Sequence, residues 1–118
     1  MGKIMREDGS TLLDRCGITE TAAERMAGLL PRDSLGEEEG LWFANSTSAH
    51  TFFMRFAIDI AFLDRRGRVI AIYESLKPWR LTWIHPMAAG GGMLEAGAGR
   101  FRRAGLQKGE ELRVCVIS

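Results

Sequence analysis

Long apolar runs, paired cysteines and a surplus of either charge are all missing from this 118-residue chain. The run Pro86 to Leu94 is mostly small and apolar, but it contains three glycines and is far too short to cross a bilayer. The opening residues Met-Gly-Lys-Ile-Met-Arg-Glu-Asp lack an apolar core and turn acidic at once, so no secretory signal is expected. Cys16 and Cys115 lie near opposite ends of the chain without a pairing motif, which predicts reduced thiols and a cytoplasmic location. With 16 basic and 15 acidic residues the net charge is +1, which excludes a strongly basic nucleic-acid arm. No membrane contact is expected, and oligomeric state is not readable.

A hydrophobic fraction of 46% with 26% charged residues is ordinary for a globular protein, and excludes a disordered tail or a fibre. The length suits a single domain, 1–118, and no repeat or linker interrupts it. Charge is nevertheless unevenly spread. Residues 1–64 hold 6 basic and 11 acidic side chains, whereas residues 65–118 hold 10 and 4. The basic residues are dispersed among apolar ones, so the two halves are expected to interleave and neutralise each other.

Local patterns predict mostly strands. Asp8-Gly9 tolerates the positive φ angles of a tight turn and joins Lys3–Glu7 to Ser10–Arg15 as a hairpin. Thr21 with Glu24 fits a helix capping box, and Pro31 ends that short helix. Leu41–Phe43 is a strand candidate. From Phe52 to Leu63, alternate residues Phe52, Met54, Phe56, Ile58, Ile60 and Phe62 are all apolar, a strand signature. Asp64-Arg65-Arg66-Gly67 supplies a turn into a return strand, Arg68–Leu76. Pairing Asp64 with Arg68 then sets Asp59 beside Tyr73, Ala57 beside Ser75 and Arg55 beside Lys77. Met93–Ala96 and Leu112–Ile117 are further strands, and Ala98–Leu106 holds one or two helical turns. Many short strands and one modest helix predict a mainly β fold, a compact β-sandwich or distorted barrel.

Asp59 is the oddest residue, a carboxyl in an apolar strand between Ala57 and Ala61. Buried, it needs a partner, a raised pKa or water. It is either a structural, hydrogen-bonded group that fixes the sheet, or part of a polar end where His50, Arg55, Asp59, Tyr73, Ser75 and Lys77 accept a small polar or anionic ligand. His50 and His85 are 35 residues apart and lack ligand spacing, so neither a metal nor another cofactor is expected. Non-catalytic binding of such a ligand, or of a protein partner, is the expectation. An alternative is a hydrolase-type enzyme using Asp59 with His50 or Glu95 as acid and base. Nucleic-acid binding through Trp79, Trp83 and the arginines Arg80, Arg100, Arg102 and Arg103 is a further alternative, disfavoured by the near-neutral charge.

The run His50-Thr51-Phe52-Phe53-Met54-Arg55-Phe56-Ala57-Ile58-Asp59-Ile60-Ala61-Phe62-Leu63-Asp64 resembles the centre of domain-of-unknown-function family 192. The likeness extends over Arg25-x-x-Gly28-Leu29-Leu30, Gly40-Leu41-Trp42, Leu76-x-Pro78-Trp79-Arg80, Leu94-Glu95-x-x-x-Gly99 and Gly105-Leu106-x-x-Gly109, about residues 22–113. Members often carry glycine where Phe53 stands, proline at Ala57 and cysteine at Ser46. The resemblance implies a compact, mainly β domain with a short early helix, and it transfers no reaction.

Overall fold

Every residue of Ile58–Leu63 is buried, so this strand is the spine of the fold rather than a half-exposed edge. The computed structural model describes residues 1–19, 34–52 and 54–117. Among the described residues the strands are β1 (Gly2–Arg6), β2 (Thr11–Thr19), β3 (Glu39–Ala44), β4 (Ile58–Leu63), β5 (Val69–Leu76), β6 (Gly92–Gly97) and β7 (Leu112–Val116), with a 3-10 turn at Pro86–Ala88 and a short helix, α1 (Arg100–Ala104). They form one sheet in the order β5-β4-β6-β3-β2-β1-β7. Among the described residues, only β2 and β3 pair in parallel. The helix expected over 21–31 lies outside the described residues.

The sheet curls until its two edges meet at one end. The Val69 N–H donates to the Glu110 carbonyl, and the Leu112 N–H to the Gly67 carbonyl, each at 2.8 Å. At the other end α1 fills the gap between the edges. Phe101 is buried, Arg102 reaches Glu74 of β5 at 2.7 Å, and Arg6 of β1 donates to the Ala104 carbonyl at 2.6 Å. The result is a mainly β half-barrel, the distorted barrel expected from the strand pattern. Ala61, Leu63, Leu94, Ala96, Phe101 and Leu112 pack inside the curl. Ile58, Ile60, Phe62, Met93, Met54 and Ala88 form a second core outside it, covered by residues 45–52, 54–57 and 77–91. Two apolar faces explain why β4 is buried on both sides.

Both predicted turns are present. Gly9 and Gly67 take φ of 86° and 85°, and Asp64 Oδ1 accepts the Arg66 and Arg68 N–H groups at 2.9 and 3.0 Å. Beyond the second turn the register departs from the expected one. Leu63 faces Val69, but Phe62 faces Ala71, Ile60 faces Tyr73 and Ile58 faces Leu76. Two extra residues on β5 have been absorbed as bulges, the second at Ser75, whose φ is 51°. Tyr73 is therefore opposite Ile60, not Asp59.

The strand predicted from Phe52 also begins later, at Ile58. Past Leu76 the chain turns away at Pro78, which has no N–H to continue a ladder. Thr51 is instead buried and bonds that departing segment, through its hydroxyl to the Lys77 carbonyl at 2.6 Å. Met54 and Phe56 then pack into the outer core instead of continuing β4.

Candidate functional site

Asp59 is fully buried and bound from three directions by backbone. Its Oδ1 accepts the Ser75 N–H at 2.8 Å and the Gly99 N–H at 3.0 Å, and its Oδ2 accepts the Phe101 N–H at 3.0 Å. The bulge at Ser75 is what turns that N–H toward the carboxyl. Ser75 thus meets Asp59 through its backbone, while Arg55 and Lys77 are exposed outside the curl's interior.

Tyr73 belongs to the opposite face. Its hydroxyl is hydrogen-bonded to His85 Nε2 at 2.7 Å and accepts the Trp83 N–H at 3.2 Å. Phe62 flanks both rings. Burial, with Lys108 as a smaller cause, lowers the His85 pKa. His50 is half-buried on the covering segment, with Nδ1 accepting the Phe52 N–H at 3.3 Å and its ring 4.8 Å from Phe52. Glu95 is fully buried on β6 opposite Ile60, whereas Asp59 is opposite Ala96. Successive strand residues point to opposite faces, so Asp59 and Glu95 are separated by the sheet. The residues expected to line one polar end are therefore divided between two faces and a covering loop.

Of the arginines expected beside the tryptophans, Arg80 stays next to Trp79 and bonds the Pro78 carbonyl at 3.4 Å, whereas the other three are engaged elsewhere. Arg103 bonds Glu37 at 2.6 Å, Arg102 bonds Glu74 at 2.7 Å, and Arg100 donates to the Leu12 carbonyl at 2.7 Å. Glu37 lies in the acidic half and Arg103 in the basic half, so the halves do interleave here. Among the described residues, no group of three or more His, Cys, Asp or Glu side chains is placed to hold a metal.

The concave site is at the other end of the β4–β5 hairpin, where the sheet edges close. A hollow of about 220 Å³ opens there, lined by Arg65, Arg66 and Arg113 above Trp42, Leu63, Leu112 and Val114. The backbone is drawn tight around it. A Cβ on Gly67 would stand 2.2 Å from the Leu112 oxygen, and one on Gly91 2.1 Å from the Leu63 oxygen. Asp64 spends its Oδ1 on turn N–H groups, and Glu111 faces Arg68 at 3.6 Å. Among the described residues, the side chains of Arg65, Arg66 and Arg113 make no hydrogen bond or ion pair. Three guanidinium groups thus ring an apolar floor, and Arg66 and Arg113 also border a neighbouring hollow of about 290 Å³. Sequence spacing could not bring Arg113 to the turn. The signals available were the Arg65-Arg66 pair within that turn and the basic surplus after residue 64.

Solved structures share this architecture. A Sinorhizobium meliloti protein described provisionally as a transcription regulator superposes with a TM-score of 0.75 at 20% identity, over 96% of this chain and 91% of its own. A Novosphingobium aromaticivorans protein of unknown function gives 0.73 at 22% identity, over 95% and 82%. At these identities the likeness shows the fold alone. No curated protein matches the chain in sequence. The profile of family DUF192, described as "Uncharacterized ACR", matches residues 4–114. That match reaches from within β1 to within β7, and the chain belongs to this family.

Proposed function

We propose that the chain is a non-catalytic binding domain whose barrel mouth takes a small anionic molecule. One observation carries the proposal: Arg65, Arg66 and Arg113 line the mouth beside Asp64 and, among the described residues, without carboxylate partners, together with the apolar side chains of Trp42, Leu63, Leu112 and Val114. Barrel mouths are recurrent ligand sites, because strands converge there while side chains leave room. A guanidinium offers a planar fork of donors that matches a carboxylate or phosphate, and several of them concentrate a positive field over the opening. The apolar floor accepts the non-ionic body of such a ligand. A volume near 220 Å³ limits it to metabolite size. Acid–base catalysis finds less support, since Asp59 is saturated by backbone donors and Glu95 is on the far face.

Thermal melts with phosphate, pyrophosphate and citrate test this reading. At tenfold excess over Kd, binding adds about 1.4 kcal/mol, or a rise of about 4–8 °C for a domain of this size. Replacing both Arg66 and Arg113 by alanine is expected to abolish the rise while leaving the unliganded melt in place. A rise that survives the double substitution, or none with any of the three anions, refutes the proposal.

A further inference from the structure

Residues 77–91 run as a strap over the outer core, and the strap is well fastened from beneath. Thr51 donates its N–H to the Arg80 carbonyl at 2.9 Å and accepts the Trp79 N–H at 3.0 Å. Thr82 N–H bonds the Ala49 carbonyl at 3.0 Å, and His85 N–H bonds the Thr47 carbonyl at 2.7 Å. A segment with its backbone so committed would be expected to turn its apolar side chains inward. The strap does the reverse: Trp79, Leu81, Trp83, Ile84 and Met87 are each between 56% and 80% exposed. Clustered exposed apolar groups of this size on an ordered backbone mark a contact surface.

The charged side chains along the covering segments themselves are all basic. Neither Gly40–Ile58 nor Ser75–Leu94 contains an aspartate or glutamate, and the charged residues in these covering segments are Arg55, Lys77 and Arg80. At the Met87 end, a hollow of about 450 Å³ adds Arg65, Arg66 and Arg68 to the border. Asp64 also lines it, but with its Oδ1 bonded to the N–H groups of its own turn.

We infer that this face adsorbs to an anionic lipid bilayer. Tryptophan favours the headgroup boundary, short aliphatic tips insert shallowly beneath it, and flanking cations meet the lipid phosphates. Each basic residue near such a surface strengthens binding by roughly fivefold. The geometry is adsorption and not spanning, since among the described residues no helix is long and apolar enough to cross. A border in which arginine and lysine outnumber acids also fits a bilayer better than a protein partner, whose surface ordinarily mixes both signs.

Sedimentation of the full chain with vesicles tests the inference, using phosphatidylcholine alone and with one quarter phosphatidylglycerol. Binding is expected with the anionic vesicles, with a blue shift of tryptophan emission, since two of the three tryptophans are on the strap. Trp83→Ser with Ile84→Ser is expected to weaken it by at least about tenfold, and added salt by several-fold. Leu81→Ser, at an equally exposed position, serves if that double variant fails to fold. No sedimentation with anionic vesicles, or sedimentation that these variants retain, overturns the inference. So does a dimer seen by light scattering that Trp83→Ser disperses, which would place a second copy on the strap.

Discussion

A carboxyl group with no exposure must find donors inside the protein, and Asp59 finds three in the backbones of Ser75, Gly99 and Phe101. These belong to β5, to the turn after β6 and to α1, so one side chain ties three separate segments to β4. Asp59→Ala leaves three N–H groups without that acceptor. At about 1–3 kcal/mol for each unsatisfied group, partly relieved by water at Ser75 and Gly99, a loss of about 3–5 kcal/mol is expected. Asp59→Asn loses one acceptor and turns an amide N–H₂ toward a donor, so it should fall between wild type and Ala. Urea unfolding at constant m-value measures both losses, and a cost below about 1 kcal/mol for the alanine would return Asp59 to a ligand-binding role. Cys16 illustrates the same rule for a group with no such donors, because burial pushes its thiol pKa up to about 12. Cys115 faces Lys3 on β1 and Cys16 faces Gly2, the adjacent residue, so the two thiols project to opposite sides of the sheet and both are free.

At the scale of elements, the strap is joined to β5 by the bond between Tyr73 and His85. Burial lowers the His85 pKa below its usual 6.5, with Lys108 adding to the effect, so the fold favours the neutral imidazole. The unfolded chain therefore takes up a proton at this site more readily than the folded one. Stability is fully present above about pH 6.5 and declines as pH falls through the lower folded value. Melting temperature followed from pH 8 to pH 5 should drop in wild type, and the contribution of this site should vanish in His85→Asn. The strap also marks the boundary of what local pattern reveals. Alternation in 58–63 and the Asp-Gly and Asp-Arg-Arg-Gly turns were legible because neighbours along the chain determine them. The start of β4 was not, because Thr51 makes its decisive bond to Lys77, 26 residues away. Nor was the Ser75 bulge, because the N–H it redirects answers to Asp59 on another strand. Apolar periodicity in Phe52–Ala57 is real, but it serves the covering of an outer core rather than pairing. Of the candidate site, burial of Asp59 was legible, whereas the arginine-ringed mouth appears only once β5 closes against β7.

Closure of the sheet is a property of the whole molecule, since the seam joins residues 67–69 to residues 109–112 and shapes the mouth between them. Gly67 is its tightest point. Its φ of 85° disfavours any side chain, and a Cβ there would meet the Leu112 oxygen at 2.2 Å. Gly109 provides an internal comparison, with a φ of 91° but nothing within 4 Å of its would-be Cβ. Both substitutions by alanine incur the left-handed backbone penalty of about 1–2 kcal/mol. Only Gly67→Ala must also push apart the two backbones that close the barrel, so its cost should exceed that of Gly109→Ala by at least about 1 kcal/mol. The two variants should differ further in the mouth itself. Gly109→Ala is expected to keep the anion-induced rise in melting temperature, whereas Gly67→Ala should diminish it by moving Arg65 and Arg66 away from Arg113. Equal destabilisation of the two variants would mean that the seam yields without cost. In that case closure of the half-barrel does not hold the arginine ring in place.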